Sequence, residues 1–191
     1  MIASAIGFLK NRLNQTFPRD ASGSAEDLFV YPGAGKDDAV SFPANAVSLA
    51  LVRLEEETVL RDADRYALAG SDGIRRRVEP DLRLNLYLLV VARFPDDYGQ
   101  ALQQLSRVVR YFQNHRVFTT QNAPELGPRI PQLIMELVTP TMGEQNELWG
   151  TLRVSYQPSV LYRIRMVVFQ DEEGVPVTRT TEVVRHVAQV P

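Results

Sequence analysis

The sequence predicts an α/β or α+β sandwich around one sheet, and three observations carry that reading. The segment LRLNLYLLVVARF puts Leu82, Leu84, Leu86, Leu88 and Val90 on one strand face and Tyr87, Leu89 and Val91 on the other. A strand apolar on both faces belongs at the centre of a covered sheet. One-faced helical stripes stand near the N-terminus and directly after this strand, and further strand patterns follow. At 191 residues, without internal repeats, the chain fits one domain, with 45% hydrophobic and 23% charged residues as in folded globular proteins.

In order, Ile2, Ile6, Leu9, Leu13 and Phe17 recur at helical spacing, and Phe17-Pro18 ends the helix. Its polar face has only Lys10 and Arg12, few cations for a membrane-surface helix, so packing on a sheet or a partner is expected. Residues 19–42 read as loop, with LFVY as a short strand. PGAGKDD lacks the spacing and strand-to-helix context of a phosphate loop. AVSLALVRLEEE alternates Val47, Leu49 and Leu51 as a strand with one buried face. It closes on Glu55, Glu56 and Glu57, which point alternately to opposite faces and have no histidine nearby in sequence to complete a metal site.

The polar stretch from Leu60 to Pro80 reads as a long hairpin connection or excursion ending in the cluster Arg75, Arg76 and Arg77. After the central strand, Pro95-Asp96-Asp97 opens a helix with the stripe Ala101, Leu102, Leu105, Val108, Val109 and Phe112, its aspartates at the positive end. RVFTT is a short strand, a proline-rich connection follows, and QLIMELVTP is a strand with Leu133, Met135 and Leu137 on one face. TMGEQNELWG is a short helix stopped by Gly150. SYQPSVLYRIRMVVF turns at Tyr156 and Pro158 into a strand with Ile164, Met166 and Val168 on one face. Arg163 and Arg165 lean outward, their stems over apolar surface. The last run, VTRTTEVVRHV, is β-prone and alternating.

Bulk chemistry excludes several functions. The net charge of −2 gives no electrostatic footprint for nucleic acid. Nearly all cations are arginine, with lysine only at Lys10 and Lys36, and arginine suits bidentate pairing at interfaces. The absence of cysteine removes disulfides, thiol catalysis and cysteine-ligated metal. No apolar run reaches the roughly 18–20 residues that span a bilayer, and the N-terminus lacks the pattern of a secretory signal. A soluble, cytoplasmically made protein is expected. Of the two histidines, His115 follows a helix end and His186 lies in the last run. Neither sits in HExxH-like spacing, and GxSxG and GxGxxG are absent. No enzyme, cofactor or metal is expected.

Three blocks in combination resemble one family: LNLYLLVVARFPDDYGQALQQLSRVVRYFQNHRVF, LIMELVTPTMGEQNELWGTL and SYQPSVLYRIRMVVF. They are similar to the tail-terminator or sheath-capping proteins of extracellular contractile injection systems, the antifeeding-prophage-like relatives of phage tails. The resemblance spans residues 1–170 and is strongest from Leu84 to Phe112 and from Leu148 to Phe169. It implies a domain with a mixed sheet flanked by helices over residues 1–170, followed by an extended arm or final strand over residues 171–191. It also implies a non-catalytic cap: a hexameric ring on the inner tube and sheath that stops elongation and locks the last sheath layer. Such a subunit assembles in the cytoplasm into a particle that is released or membrane-bound, with sheath and inner-tube proteins as partners. The candidate partner interface is then Arg75, Arg76, Arg77, Arg163 and Arg165, with Val175, Val177, Val183 and Val187 of the arm. The arm is expected either to add to a neighbour's sheet or to pair within the chain. The alternative function is a monomeric or dimeric protein-binding adaptor of the same fold.

Overall fold

The computed structural model describes residues 1–18, 27–35, 39–57, 68–69, 75–77, 82–127, 130–169 and 175–176. Its strands, in chain order, are β1 (Phe29–Val30), β2 (Gly33–Ala34), β3 (Val40–Ser41), β4 (Ala46–Glu56), β5 (Leu68–Ala69) and β6 (Arg75–Arg77). They continue with β7 (Leu82–Arg93), β8 (Val117–Thr119), β9 (Gln132–Val138), β10 (Ser159–Phe169) and β11 (Val175–Pro176). The helices are α1 (Ile2–Thr16), α2 (Tyr98–Asn114) and α3 (Met142–Leu152), with a 3-10 turn at Pro124–Leu126.

Six strands share one sheet in the order β1-β4-β7-β10-β9-β8, with β7 inside it as its two apolar faces require. The sheet is mixed: β1 runs parallel to β4, with Phe29 opposite Val47, and the other neighbours are antiparallel. Two small sheets stand beside it, the pair β2-β3 and the triplet β11-β6-β5. The α+β domain with a mixed sheet and helices is therefore as expected.

The first face of the sheet makes the main core. Leu86, Leu88 and Val90 of β7, Val47 and Leu49 of β4, and Tyr162 and Ile164 of β10 join one buried cluster with α1 and α2. Aromatic edges tie the layers: Phe8 meets Phe118 at 5.3 Å, Phe17 meets Tyr111 at 5.7 Å and Phe112 meets Tyr162 at 4.9 Å. The N-terminal stripe behaves as read, with Ile6, Leu9 and Leu13 buried and Phe17 packed against the cluster. Helix α2 starts where Asp97 accepts a hydrogen bond from the Gln100 amide at 2.9 Å. It ends where the His115 amide donates to Tyr111 and the imidazole stacks on the Tyr111 ring at 4.4 Å. His115 follows the helix end, as expected, and is its C-terminal cap residue.

Several positions depart from the sequence reading for geometric reasons. On α2, Leu102 is 45% exposed, while Gln104 and Tyr111 are buried with Ala101, Leu105, Val108 and Phe112. At about 100° per residue, Leu102 falls on the rim of the stripe. On β4, an irregularity between Leu51 and Arg53 shifts the register against β7, and Leu51 is half exposed, unlike Val47 and Leu49. Leu137 is exposed although Leu133 and Met135, on its strand face, are buried. On β10, a shift between Ile164 and Val167 sets Val167 opposite Leu84 and Val168 opposite Arg83. The backbone register is therefore offset across the stretch from Ile164 to Val168 over which the sequence predicts an unbroken alternation. Finally, Gly150 does not stop α3, which continues to Leu152 and ends on Arg153 in the left-handed region at φ 56°.

Candidate interaction site

The second face of the sheet changes chemistry along its length. At one end Ala50, Leu89 and Val91 form a small cluster with Phe42 and with Trp149 of α3. The Trp149 ring lies edge-on to Phe42 at 5.9 Å and to Tyr156 at 5.4 Å. Helix α3 is set by a reciprocal capping box between Thr141 and Glu144, and the Thr141 bonds hold the Glu144 carboxyl below its ordinary range. Tyr156 and Pro158 form the expected corner, with the Ala92 amide donating to the Pro158 carbonyl at 3.0 Å.

Past Leu89, polar residues take over. In the backbone register Arg53 of β4, Tyr87 of β7, Arg163 of β10 and Glu136 of β9 stand side by side, one from each of four adjacent strands. Directly opposed side chains in neighbouring strands are close enough to interact. Arg163 donates to Glu136 Oε2 through Nε at 3.0 Å and Nη2 at 2.6 Å, and Arg165 Nη1 donates to Glu136 Oε1 at 3.2 Å. Arg165 also reaches Glu57 at 3.5 Å, and Asn85 Nδ2 donates to that carboxylate at 3.1 Å. Across the sheet, Tyr87 Oη donates to Glu55 Oε2 at 2.6 Å, Arg53 pairs with Glu55 at 3.0 Å, and the Arg53 guanidinium lies 5.3 Å from the Tyr87 ring centroid.

This row is partly withdrawn from water. Side-chain exposure is 19% for Glu136, 12% for Glu57 and 28% for Arg165. Burial raises the Glu136 pKa, but the bonds from Arg163 and Arg165 outweigh it and hold the carboxyl below its ordinary range. The Glu136 bonds raise the already high Arg163 pKa. Burial, aided by Glu55, raises the Tyr87 phenol. On the other face, burial alone pushes Tyr162 up to about 12.

Of the predicted interface residues, the structure brings Arg163 and Arg165 together on this row, where they are ion-paired rather than free. Arg75, Arg76 and Arg77 form β6, the middle strand of the three-stranded sheet. There Arg77 is opposite Val175, and Arg76 stands between Pro176 and Leu68. The start of the arm therefore pairs with the arginine run inside one chain. Val177, Val183, Val187 and His186 lie outside the described residues, as does Lys36 of the glycine-rich stretch. Sequence reading missed Glu136, Tyr87 and Asn85. Only the pairing of β9, β10 and β7 reveals them, although a lone acid within QLIMELV was a signal. Of the glutamate triplet, Glu55 accepts from Tyr87 and Glu57 from Asn85. Among the described residues no group of His, Asp and Glu is arranged to hold a metal, and no helix is long and apolar enough to cross a membrane.

Two solved structures share this fold. One is the PVC sheath/tube terminator, in its extended state, of an extracellular contractile injection system. It is 18% identical, with a TM-score of 0.60 over 100% of this chain and 65% of that one. The other is the tube-terminating cap of the anti-feeding prophage, 19% identical, with a TM-score of 0.53 over 93% of this chain and 58% of that one. The chain thus spans less than two thirds of the length of either. Among curated proteins none is significantly similar in sequence. A family model described as the Pvc16 N-terminal domain matches residues 6–182. The chain belongs to the Pvc16 N-terminal domain family.

Proposed function

We propose that this chain is the sheet domain of a terminal cap in a contractile injection system, a non-catalytic subunit that closes the inner tube and sheath. The observation that carries the proposal is the shared fold over 100% of the chain with a sheath/tube terminator, joined to the family match over residues 6–182. Copies form a ring, six by resemblance, on the tube end; they stop elongation and hold the last sheath layer. Assembly takes place in the cytoplasm, before the particle is released or docks at a membrane.

The ion-paired row on the second face supports a scaffold role. Its one strongly held carboxylate, Glu136, is bound by two guanidiniums, the reverse of a group poised to move protons. Arg75, Arg76, Arg77, Val175, Val177, Val183 and Val187 belong in this proposal to a contact region for neighbouring subunits or sheath, with the arm beyond Pro176 offering backbone hydrogen bonds to a partner's sheet edge.

The test is electron microscopy of the protein mixed with its tube and sheath proteins, together with mass determination. The expected result is a ring near six copies at one end of particles of uniform length. A chain that stays monomeric or dimeric and never appears at those ends overturns the cap and leaves the adaptor.

A further inference from the structure

Two helices on opposite sides of the sheet carry charge of opposite sign. Helix α2, packed on the first face, contains Arg107 and Arg110, is followed by Arg116, and has no acid from Tyr98 to Asn114. Helix α3, packed on the second face through Trp149, carries Glu144 and Glu147 and no base from Met142 to Leu152. Exposed helices ordinarily interleave signs and gain from pairs three or four residues apart; these two forgo that gain. Arg110, Arg116 and Glu147 are all exposed, and among the described residues none of them makes a side-chain ion pair.

Each helix also holds apolar surface out to solvent. Leu102 of α2 is 45% exposed and Tyr98 is 63% exposed, while Met142 at the start of α3 is 81% exposed. On α3, the exposed Gly150 leaves open space, with no atom of the described residues beyond its chain neighbours and its own helix backbone within 4 Å of the position a Cβ would take.

We infer that the outer face of α2 in one copy docks against the outer face of α3 in the next, with Arg110 and Arg116 against Glu147, and that this is the subunit contact of the ring. The inference rests on the cap reading above. Opposite charges steer and register such a contact. The two patches differ and lie on opposite sides of the domain, so the contact is heterologous, and heterologous contacts close into rings when the rotation permits. A second copy is the occupant that supplies both complementary patches at once.

The absence of native cysteine makes the test clean. In the full chain assembled with tube and sheath, the double variant Arg110→Cys with Glu147→Cys is treated with a flexible bis-maleimide of roughly 10 Å reach, longer than the span of a disulfide, and run on a denaturing gel. The expected result is a ladder rising to the ring number, while each single variant gives no ladder. A ring visible by mass and microscopy with no ladder from the double variant overturns this contact and leaves the cap standing. A chain that never assembles overturns both. Charge reversal supplies the second readout. Arg110→Glu lowers the assembled fraction at least about tenfold, as does Glu147→Arg, and combining them restores it. Single reversals that assemble like the unmodified chain also overturn the contact.

Discussion

Tyr87 and Leu88 are neighbours on one strand, yet they belong to two different kinds of surface. Leu88 points into the main cluster and is fully buried among α1, α2 and the first sheet face. Tyr87 points to the second face and gives its hydroxyl to Glu55 within a row of ion pairs. The first face is held by apolar burial, which is undirected and scales with area. The second is apolar only near Trp149, and beyond it depends on directed bonds among half-covered charges. Stability therefore resides mainly on one side of the sheet. The other side fixes registry between strands, because a one-residue slip of β10 against β9 would separate Arg163 from Glu136.

The largest effect that sharpens this contrast is Leu88→Ala. It removes a fully buried side chain beneath two helices and should cost about 2–5 kcal/mol. Urea denaturation followed by circular dichroism measures the loss. A cost below about 1 kcal/mol would mean that the first face collapses around the gap and is not the packed core described.

On the second face the matching change is Glu136→Ala, which strands the guanidiniums of Arg163 and Arg165 in a partly covered setting. An expected loss of about 1–3 kcal/mol reflects charge-assisted bonds that are only partly shielded. The pH dependence has a definite sign. The folded-state pKa of Glu136 lies below the ordinary 4.5, so its contribution is fully present above that value and is lost as pH falls through the folded pKa. The gap in stability between the unmodified chain and Glu136→Gln should therefore narrow on acidification below about 4.5 and stay constant from neutral pH down to that point. A gap unchanged into strong acid would show that the carboxylate charge contributes nothing.

The same division explains what the sequence made legible. Burial repeats with the period of the element, so α1, most of α2, the strand start of β4, β7 and the buried half of β10 are legible from spacing. Periodicity fails where the repeat is broken or the partner is distant. The irregularities after Leu51 and Ile164 each alter the register in mid-strand, and nothing local in the residues announces them. The ion-paired row is illegible for the second reason. Glu136 and Arg163 are 27 positions apart and meet only because β9 and β10 lie edge to edge. Arg163 and Arg165 were identifiable as unusual for a strand, but their partners were not. The end of α3 lies beyond the sequence expectation because, although glycine commonly stops helices, here Arg153 takes the left-handed position and Gly150 remains helical.

That glycine offers the smallest effect and the one of opposite sign. A glycine within a helix costs roughly 0.5–1 kcal/mol relative to alanine, because it surrenders more backbone freedom on folding. At Gly150 no atom of the described residues beyond its chain neighbours and its own helix backbone stands within 4 Å of where a Cβ would sit, so Gly150→Ala meets no obstacle among them. The single chain should therefore gain about 0.5–1 kcal/mol in urea denaturation, unlike the losses at Leu88 and Glu136. A loss instead would mean that α3 is seated on the second face more tightly than its exposed outer side indicates. A gain in the isolated chain accompanied by weaker assembly would be more informative. It would locate the reason for a helical glycine outside the subunit, on the face where α3 meets its neighbour, and would make the second face a surface shaped for contact while the first holds the fold.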